Sequence, residues 1–168
     1  YCSQICCQGS LRAAQSLLHR HPGWKITVFY IDLQVYGKMA RSKYTAAMEK
    51  MRFVQGVPAE VLAAEGGAVS LAFQGDDGNV TQEAFDGVVL AVGMTPRPST
   101  AGLAESLGVP TTLGGFLAAE DPPEGVHVVG TCAAPSFLEG SLLSGRRAAA
   151  RILVDGLDSE RTDAALTL

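Results

Sequence analysis

Three apolar runs of strand length constrain the fold of this chain more than any other feature. They occupy residues 25–31, 86–93 and 125–130, and each is rich in β-branched side chains. Apolar runs without regular polar alternation are typical of strands that are covered on both faces in a parallel sheet. The sequence therefore predicts an α/β fold that contains a parallel sheet.

Helical patterns surround the first of these runs. Apolar residues recur every three or four positions over 3–21 and again over 37–51, where Met39 and Tyr44 fall on the apolar face. A short strand is predicted at 53–55, so the order helix, strand, helix, strand describes a parallel α/β unit. Because this unit begins with a helix, we expect its preceding strand to lie outside the chain. We therefore interpret the chain as the C-terminal portion of a longer protein.

Between the first two apolar runs, the spacing of apolar residues changes. The segments 59–64, 68–73 and 79–84 are short and are separated by Gly-rich turns, and the middle segment alternates between larger and smaller side chains. Such alternation is typical of half-buried antiparallel strands. We expect a small antiparallel meander in addition to the parallel sheet.

The third apolar run leads through a loop into a final helix. We predict this helix at 141–155, with Ser141 as its N-cap and Gly156 as its C-terminal stop, and we expect the residues beyond it to fray. The inward face is predicted to carry Leu142, Gly145, Ala149 and Ile152. Backbone N–H groups at such a helix start favour an anion. Every α/β fold also has several helix starts that bind nothing, so both interpretations stay open.

Three of the four cysteines, Cys2, Cys6 and Cys7, lie within the first seven residues. Vicinal cysteines pair with each other only under strain, and three thiols leave one unpaired, so a disulfide framework does not explain the spacing. Crowded thiolates suit a soft metal or an iron–sulfur cluster. Buried small apolar side chains and redox-active thiols are the other interpretations. The fourth cysteine, Cys132, is distant in sequence.

Composition limits the classes of function. The chain has 168 residues and a formal net charge of −4, and this acidic balance argues against nucleic acid as a partner. No apolar run approaches the roughly 18–20 residues that span a bilayer. Because cysteines outside the cluster are few, we expect a cytoplasmic protein. No complete GxGxxG or GxxxxGKS/T phosphate motif occurs, and Asp32 is either a ribose-binding acid or a turn cap.

Five segments together resemble the A-subunit family of heterodisulfide reductases. In chain order they read YCSQICC, VFYIDLQVYGK, DGVVLAVGMTP, GVHVVGTCAAP and SLLSGRRAAARIL. The resemblance implies a flavoprotein with a thioredoxin-reductase-like core and an incomplete Rossmann-like parallel sheet. Residues 1–95 would be an NAD(P)-binding-like domain without its first strand. Residues 96–168 would be the C-terminal segment of an FAD-binding domain.

The resemblance also implies two cofactors in the parent protein, FAD and a 4Fe–4S cluster. It implies cluster ligands at Cys2, Cys6 and Cys7, with a fourth ligand upstream of this chain. It implies FAD-binding residues at Gly93, Gly130, Thr131, Ser141 and Leu142. In the isolated chain we expect both groups to be absent or incomplete, and we expect no catalysis.

The sequence departs from the family pattern at three positions. Gln34 stands where the family usually has an arginine, Phe137 where it tends to have an acidic residue, and Ser144 where it tends to have a glutamine. Side-chain contacts to a flavin are therefore expected to differ from those of the family.

The resemblance implies an oxidoreductase that passes electrons between FAD, the cluster and partner subunits of a heterodisulfide-reductase-like complex, with hydrogenase or dehydrogenase subunits among them. One alternative is an NAD(P)H-dependent disulfide oxidoreductase with redox-active cysteines. Another is a non-catalytic docking domain. A sheet that lacks one strand has an unpaired edge, so we also expect the isolated chain to form a homodimer.

Overall fold

The computed structural model describes residues 2–38, 40–75 and 77–165, apart from the side chains of Lys43 and of residues 157–165. Met39, predicted on the apolar face of the second helix, lies outside the described residues. The chain divides into two compact units. Residues 6–92 form one unit, and the first five residues together with those from Gly93 onward form the other.

The unit of residues 6–92 begins with the predicted parallel α/β arrangement. Its elements are α1 (Cys6–Arg20), β1 (Thr27–Tyr30), α2 (Ala40–Met48) and β2 (Arg52–Gln55). Strands β1 and β2 are parallel, with Thr27 opposite Arg52 and Tyr30 opposite Gln55. The α/β prediction for this part of the chain is therefore confirmed.

The same unit continues as a three-stranded antiparallel sheet. Its strands are β3 (Glu60–Ala63), β4 (Val69–Gln74) and β5 (Val80–Phe85), and β4 lies in the centre. The predicted meander is confirmed, with boundaries within one residue of those expected from the alternating pattern.

Two clusters of buried side chains stabilise this unit. Leu11 and Ala14 of α1 pack with Ala47 of α2 and with Met51, which precedes β2. A second cluster joins the two sheets, because Val54 of β2 packs with Leu71 and Phe73 of β4. The Phe29 ring of β1 meets the Phe73 ring edge to face, with 4.8 Å between the centroids. The parallel pair therefore shares its core with the meander.

The segment 86–93, predicted as a buried parallel strand, is not a strand. Among the described residues, neither sheet includes it, and Val89, Leu90 and Val92 are 90%, 72% and 80% exposed. A strand needs a hydrogen-bonding neighbour as well as a suitable composition. Because no described strand pairs with this segment, its apolar side chains stay in solvent and the prediction is wrong.

The second unit contains α3 (Thr100–Leu107) and α4 (Leu138–Ala165). Helix α3 has the predicted bounds and ends at Gly108, which has a left-handed φ of 65°. Ala104 of α3 packs with Val109 and Leu117, and the partly buried Val126 and Val128 cover this cluster.

The run 125–130 therefore supplies core side chains, but it forms no strand within the described part of the chain. The prediction of a strand there is wrong for the same reason as at 86–93.

Helix α4 is longer than predicted at both ends. It begins at Leu138 rather than at Ser141, and it passes through Gly156 to Ala165 instead of ending there. The expectation that the residues after 155 fray is therefore wrong as far as Ala165, and residues 166–168 lie outside the described residues. None of the helices described here is both long enough and apolar enough to cross a membrane.

Candidate functional site

A three-residue turn, Gly130–Cys132, lies against the beginning of α4. We call it the 130–132 turn. Gly130 has a φ of 65°, and a Cβ at this position would lie 3.6 Å from the Cβ of Ser141. Glycine is favoured because other residues reach this backbone conformation only with strain. The turn and the first turn of α4 therefore approach each other closely.

A serine on α4 joins the helix to this turn. The backbone N–H of Gly130 donates to Oγ of Ser144 at 2.8 Å. The same hydroxyl donates to the carbonyl oxygen of Ser141, also at 2.8 Å. The glutamine-to-serine departure noted at this position thus places a short hydroxyl where it binds the protein backbone.

The inward face of α4 differs from the predicted one. Its half-buried residues are Ser141, Ser144, Gly145 and Ala148. Of the predicted set, Leu142 and Ile152 are 56% and 51% exposed, and Ala149 is also exposed. Small side chains face the protein because they permit the close approach to the 130–132 turn, which a row of larger apolar side chains would prevent.

The predicted N-cap role of Ser141 is also wrong. Its backbone N–H already makes a helical bond to the carbonyl oxygen of Phe137, at 3.0 Å. The helix therefore starts earlier, near Ser136, whose Oγ would lie 2.5 Å from a Cβ at position 140. Glycine at 140 removes this conflict, so the chain can enter the helix before Ser141.

Three of the five predicted flavin contacts lie together. Gly130, Thr131 and Ser141 meet where the 130–132 turn reaches α4. Leu142 is exposed on another side of the helix. The close approach at Gly130, which leaves little room for a side chain, and the open N–H groups of a long helix fit an anionic cofactor group. The exposed acid Glu139 in the first turn opposes a phosphate there.

The fifth predicted contact, Gly93, packs against the N-terminal segment of the same unit. Gly93 has a φ of 81°, and a Cβ there would lie 3.3 Å from Oγ of Ser3. Ser3 is the one polar residue in the buried class among the described residues, with 4% of its surface exposed. Gly93 therefore holds the residue that follows Cys2.

The predicted metal ligands occupy two kinds of position. Cys6 and Cys7 are half-buried at the start of α1, and Sγ of Cys7 lies 3.8 Å from the carbonyl oxygen of Asp32. Cys2 is exposed, and its Sγ accepts a hydrogen bond from the Gln4 backbone at 3.4 Å. None of the cysteines forms a disulfide.

Thiolate donors suit iron chemically. However, the described residues contain no group of three His, Cys, Asp or Glu side chains arranged to hold a metal ion. The donor types therefore fit a cluster, and the arrangement of the side chains does not form one.

The loop after β1 is held to the start of α1. Gln8 donates through Nε2 to the carbonyl oxygen of Tyr36 at 2.6 Å, and Gln34 donates to the Asp32 carboxylate. The Asp32 carboxylate thus has a partner within its own loop, which agrees with the turn-cap interpretation. Sequence reasoning did not identify Gln8 or the bridging role of Ser144. The serine pair at 141 and 144, one helical turn apart, is the signal that could have indicated it.

No family model matches this chain. Curated relatives do, and all three described here are A-type subunits of heterodisulfide reductases. The chain is 30% identical, over 90% of its length, to the second A-type iron-sulfur subunit of the CoB–CoM heterodisulfide reductase of Methanopyrus kandleri. It is 29% identical, over 95% of its length, to that of the H(2):CoB–CoM heterodisulfide,ferredoxin reductase of Methanothermobacter thermautotrophicus. It is 28% identical, over 91% of its length, to that of the ferredoxin:CoB–CoM heterodisulfide reductase of Methanosarcina mazei.

The chain spans 25%, 26% and 21%, respectively, of the length of these three relatives. The similarity covers nearly all of this chain, including the cysteine-rich start and the turn before α4. The resemblance seen in the sequence is therefore confirmed, and the chain belongs to the A-subunit family of heterodisulfide reductases, of which it matches about one quarter.

Proposed function

We propose that this chain takes part in electron transfer in an oxidoreductase of the heterodisulfide-reductase type, as a segment that helps to bind FAD and an iron–sulfur cluster. The observation that carries the proposal is the similarity to A-type subunits over 90–95% of the chain. The names of these relatives describe CoB–CoM heterodisulfide reductases, and the name of the Methanopyrus relative describes an iron-sulfur subunit. The proposed partners are other subunits of such a redox complex, with hydrogenase or dehydrogenase subunits among them.

The proposed flavin contacts are Gly130, Thr131 and Ser141. Support comes from the left-handed Gly130 and from the 3.6 Å separation that a Cβ there would have from Ser141. A flavin supplies one- and two-electron chemistry that protein side chains lack. In this proposal the three residues bind and orient the cofactor at the beginning of α4. They form one part of the site, so we expect weak binding by this chain.

The proposed cluster ligands are Cys2, Cys6 and Cys7. Support comes from the chemistry of the donor set, because thiolates are the usual ligands of iron–sulfur clusters. The 3.8 Å contact between the Cys7 thiol and the Asp32 carbonyl would be lost when the thiol loses its proton to bind iron. Ligation at Cys7 is therefore expected to change the environment of the loop after β1.

Titration of the chain with FAD, followed by the visible circular dichroism of the flavin, tests the proposal. We expect a saturable signal that corresponds to one flavin per chain. Gly130→Ala should weaken it, because the added methyl group strains the left-handed backbone at the turn. Gly87→Ala is the matched control, since no atom lies within 4 Å of a Cβ at that position. Absence of any flavin signal from the unaltered chain would contradict the flavin part of the proposal.

The same samples separate the two alternative functions. Reduction of a disulfide by NAD(P)H in iron-free protein, lost in Cys6→Ser, would favour an oxidoreductase with redox-active thiols. A melting temperature that neither FAD nor NAD(P)H changes would favour a docking domain.

A further inference from the structure

We propose that Ser144 is a positioning residue whose hydroxyl fixes the 130–132 turn against α4 and thereby sets the flavin affinity of this site. The inference rests on the proposed function, and it assigns a role to a residue that was expected to be a lost contact.

The geometry of the hydroxyl carries the inference. Oγ of Ser144 accepts the Gly130 N–H at 2.8 Å and donates its own hydrogen to the Ser141 carbonyl oxygen at 2.8 Å. The donor and one acceptor site of the hydroxyl are thus both used in a single bridge. Because the bridge is partly buried, water competes with it less than it does at the surface.

The bridge acts on the backbone that would meet the cofactor. Gly130 begins the turn, and Ser141 lies in the first turn of α4, so the hydroxyl joins the two sides of the proposed site. The far end of the turn has a separate support, because the Cys132 carbonyl oxygen accepts a hydrogen bond from the Leu117 N–H at 2.9 Å. Without Ser144, the Gly130 end would lose its link to the helix. A turn that must be ordered when ligand binds reduces affinity, because the ordering costs entropy.

A second serine provides a matched comparison. Oγ of Ser106 in α3 donates to the Gly102 carbonyl oxygen at 2.6 Å, within its own helix. This is the same kind of hydroxyl-to-carbonyl bond that Ser144 makes to Ser141. Ser106 is exposed, and its recorded bond lies within α3. A general effect of removing a helical serine should therefore appear at both positions, and a positioning effect should appear at Ser144 alone.

The test compares Ser144→Ala, Ser144→Thr and Ser106→Ala in the full chain. FAD affinity is measured from the visible circular dichroism, and protection of the Gly130 amide is measured by hydrogen exchange in NMR spectra. We expect Ser144→Ala to weaken FAD binding about fivefold to tenfold, the usual effect of one lost hydrogen bond. It should also remove the protection of the Gly130 amide. Ser144→Thr retains a hydroxyl and should restore both properties, and Ser106→Ala should change neither.

Two results would overturn the inference while leaving the proposed function intact. One is unchanged FAD affinity in Ser144→Ala, and the other is an equal loss of affinity in Ser106→Ala. If the unaltered chain binds no FAD, the proposed flavin function fails and this inference fails with it. Should Ser144→Ala not fold, Ser144→Cys replaces it, since cysteine has nearly the same size and a much weaker hydrogen-bonding group. Unchanged affinity in Ser144→Cys would then count against the inference.

Discussion

Two apolar segments of the 6–92 unit have similar compositions and opposite surroundings. The first is β1, which pairs with β2 along its whole length and contributes Val28 and Phe29 to the two core clusters. The second is the segment 88–92, which joins neither sheet of the described residues and exposes most of its side-chain surface. The difference lies in the partner: β1 has a neighbouring strand and two helices in sequence around it, and 88–92 has a solvated backbone.

This comparison teaches that an apolar run stabilises the fold only where another element covers it. Burial of a large apolar side chain contributes about 1.5–3 kcal/mol, and the same side chain in solvent contributes almost nothing. The two segments therefore make different contributions to the free energy of unfolding, and substitutions measure this difference directly.

The largest expected effect comes from the same substitution in the two regions. Leu71→Ala in β4 removes a side chain that is 3% exposed, and Leu90→Ala removes one that is 72% exposed. We expect Leu71→Ala to lower the free energy of unfolding by about 2–5 kcal/mol through loss of burial and formation of a cavity. We expect Leu90→Ala to change it by less than about 0.5 kcal/mol. Urea denaturation followed by far-ultraviolet circular dichroism measures both, and equal losses would show that 88–92 is covered in solution.

A smaller effect is expected where the exposed segment ends. Gly93→Ala introduces a methyl group at a left-handed position, 3.3 Å from Oγ of the buried Ser3. We expect it to lower the free energy of unfolding by about 1–2 kcal/mol through backbone strain. Gly87→Ala, at the beginning of the segment, meets open space and should have almost no effect. Thermal denaturation compares the two variants, and the same melting temperature for both would be evidence against the packing of Gly93 on Ser3.

A weaker interaction ties the parallel pair to the meander. Arg52 of β2 contacts Glu83 of β5 at 2.6 Å, and both side chains are substantially exposed, at 48% and 38%. A double-mutant cycle with Arg52→Met and Glu83→Gln should give a coupling energy of about 0.2–1 kcal/mol. This coupling should decrease in high salt. Coupling that is unaffected by salt would assign the effect to packing of Arg52 on the Phe73 ring, which lies 5.5 Å away.

The smallest effect concerns the turn between β4 and β5. The Asn79 side chain and then its backbone N–H donate to the Asp77 carboxylate and lower the pKa of that group. Because the folded pKa lies below the unfolded one, the stabilisation is present above the unfolded pKa and is lost as the pH falls through the folded pKa. In Asn79→Ala, the Asp77 pKa should return towards the ordinary value. An NMR pH titration measures it, and an unchanged pKa would contradict the assignment to Asn79.

Local patterns predicted those elements whose partners lie nearby in sequence. The helical spacing around Leu11 and Ala14 predicted α1, and the alternation at 68–73 predicted β4, because each neighbouring element follows within a few tens of residues. The runs at 86–93 and 125–130 read as strands by composition alone. Strand pairing depends on a neighbour that the run itself does not specify, so those two predictions were wrong.

The candidate site shows the same division. Gly130 was predicted to be important because a glycine after an apolar run indicates a tight approach, and the geometry at Ser141 agrees. The inward face of α4 was predicted from its large apolar residues. The hydrogen bond from Gly130 to Ser144 instead aligns the helix through a small polar side chain. A pattern that counts only apolar residues does not detect this.

The most direct test of the account is the iron and sulfide content of the chain after anaerobic reconstitution, with an external thiol present as a fourth ligand. The central claim is that the chain provides redox-cofactor ligands through its first seven residues. We expect about four irons and four sulfides per chain in the unaltered protein and in Cys132→Ser, and a large loss of both in Cys6→Ser. Equal iron content in Cys6→Ser and Cys132→Ser, or no bound iron in the unaltered chain, would contradict the claim.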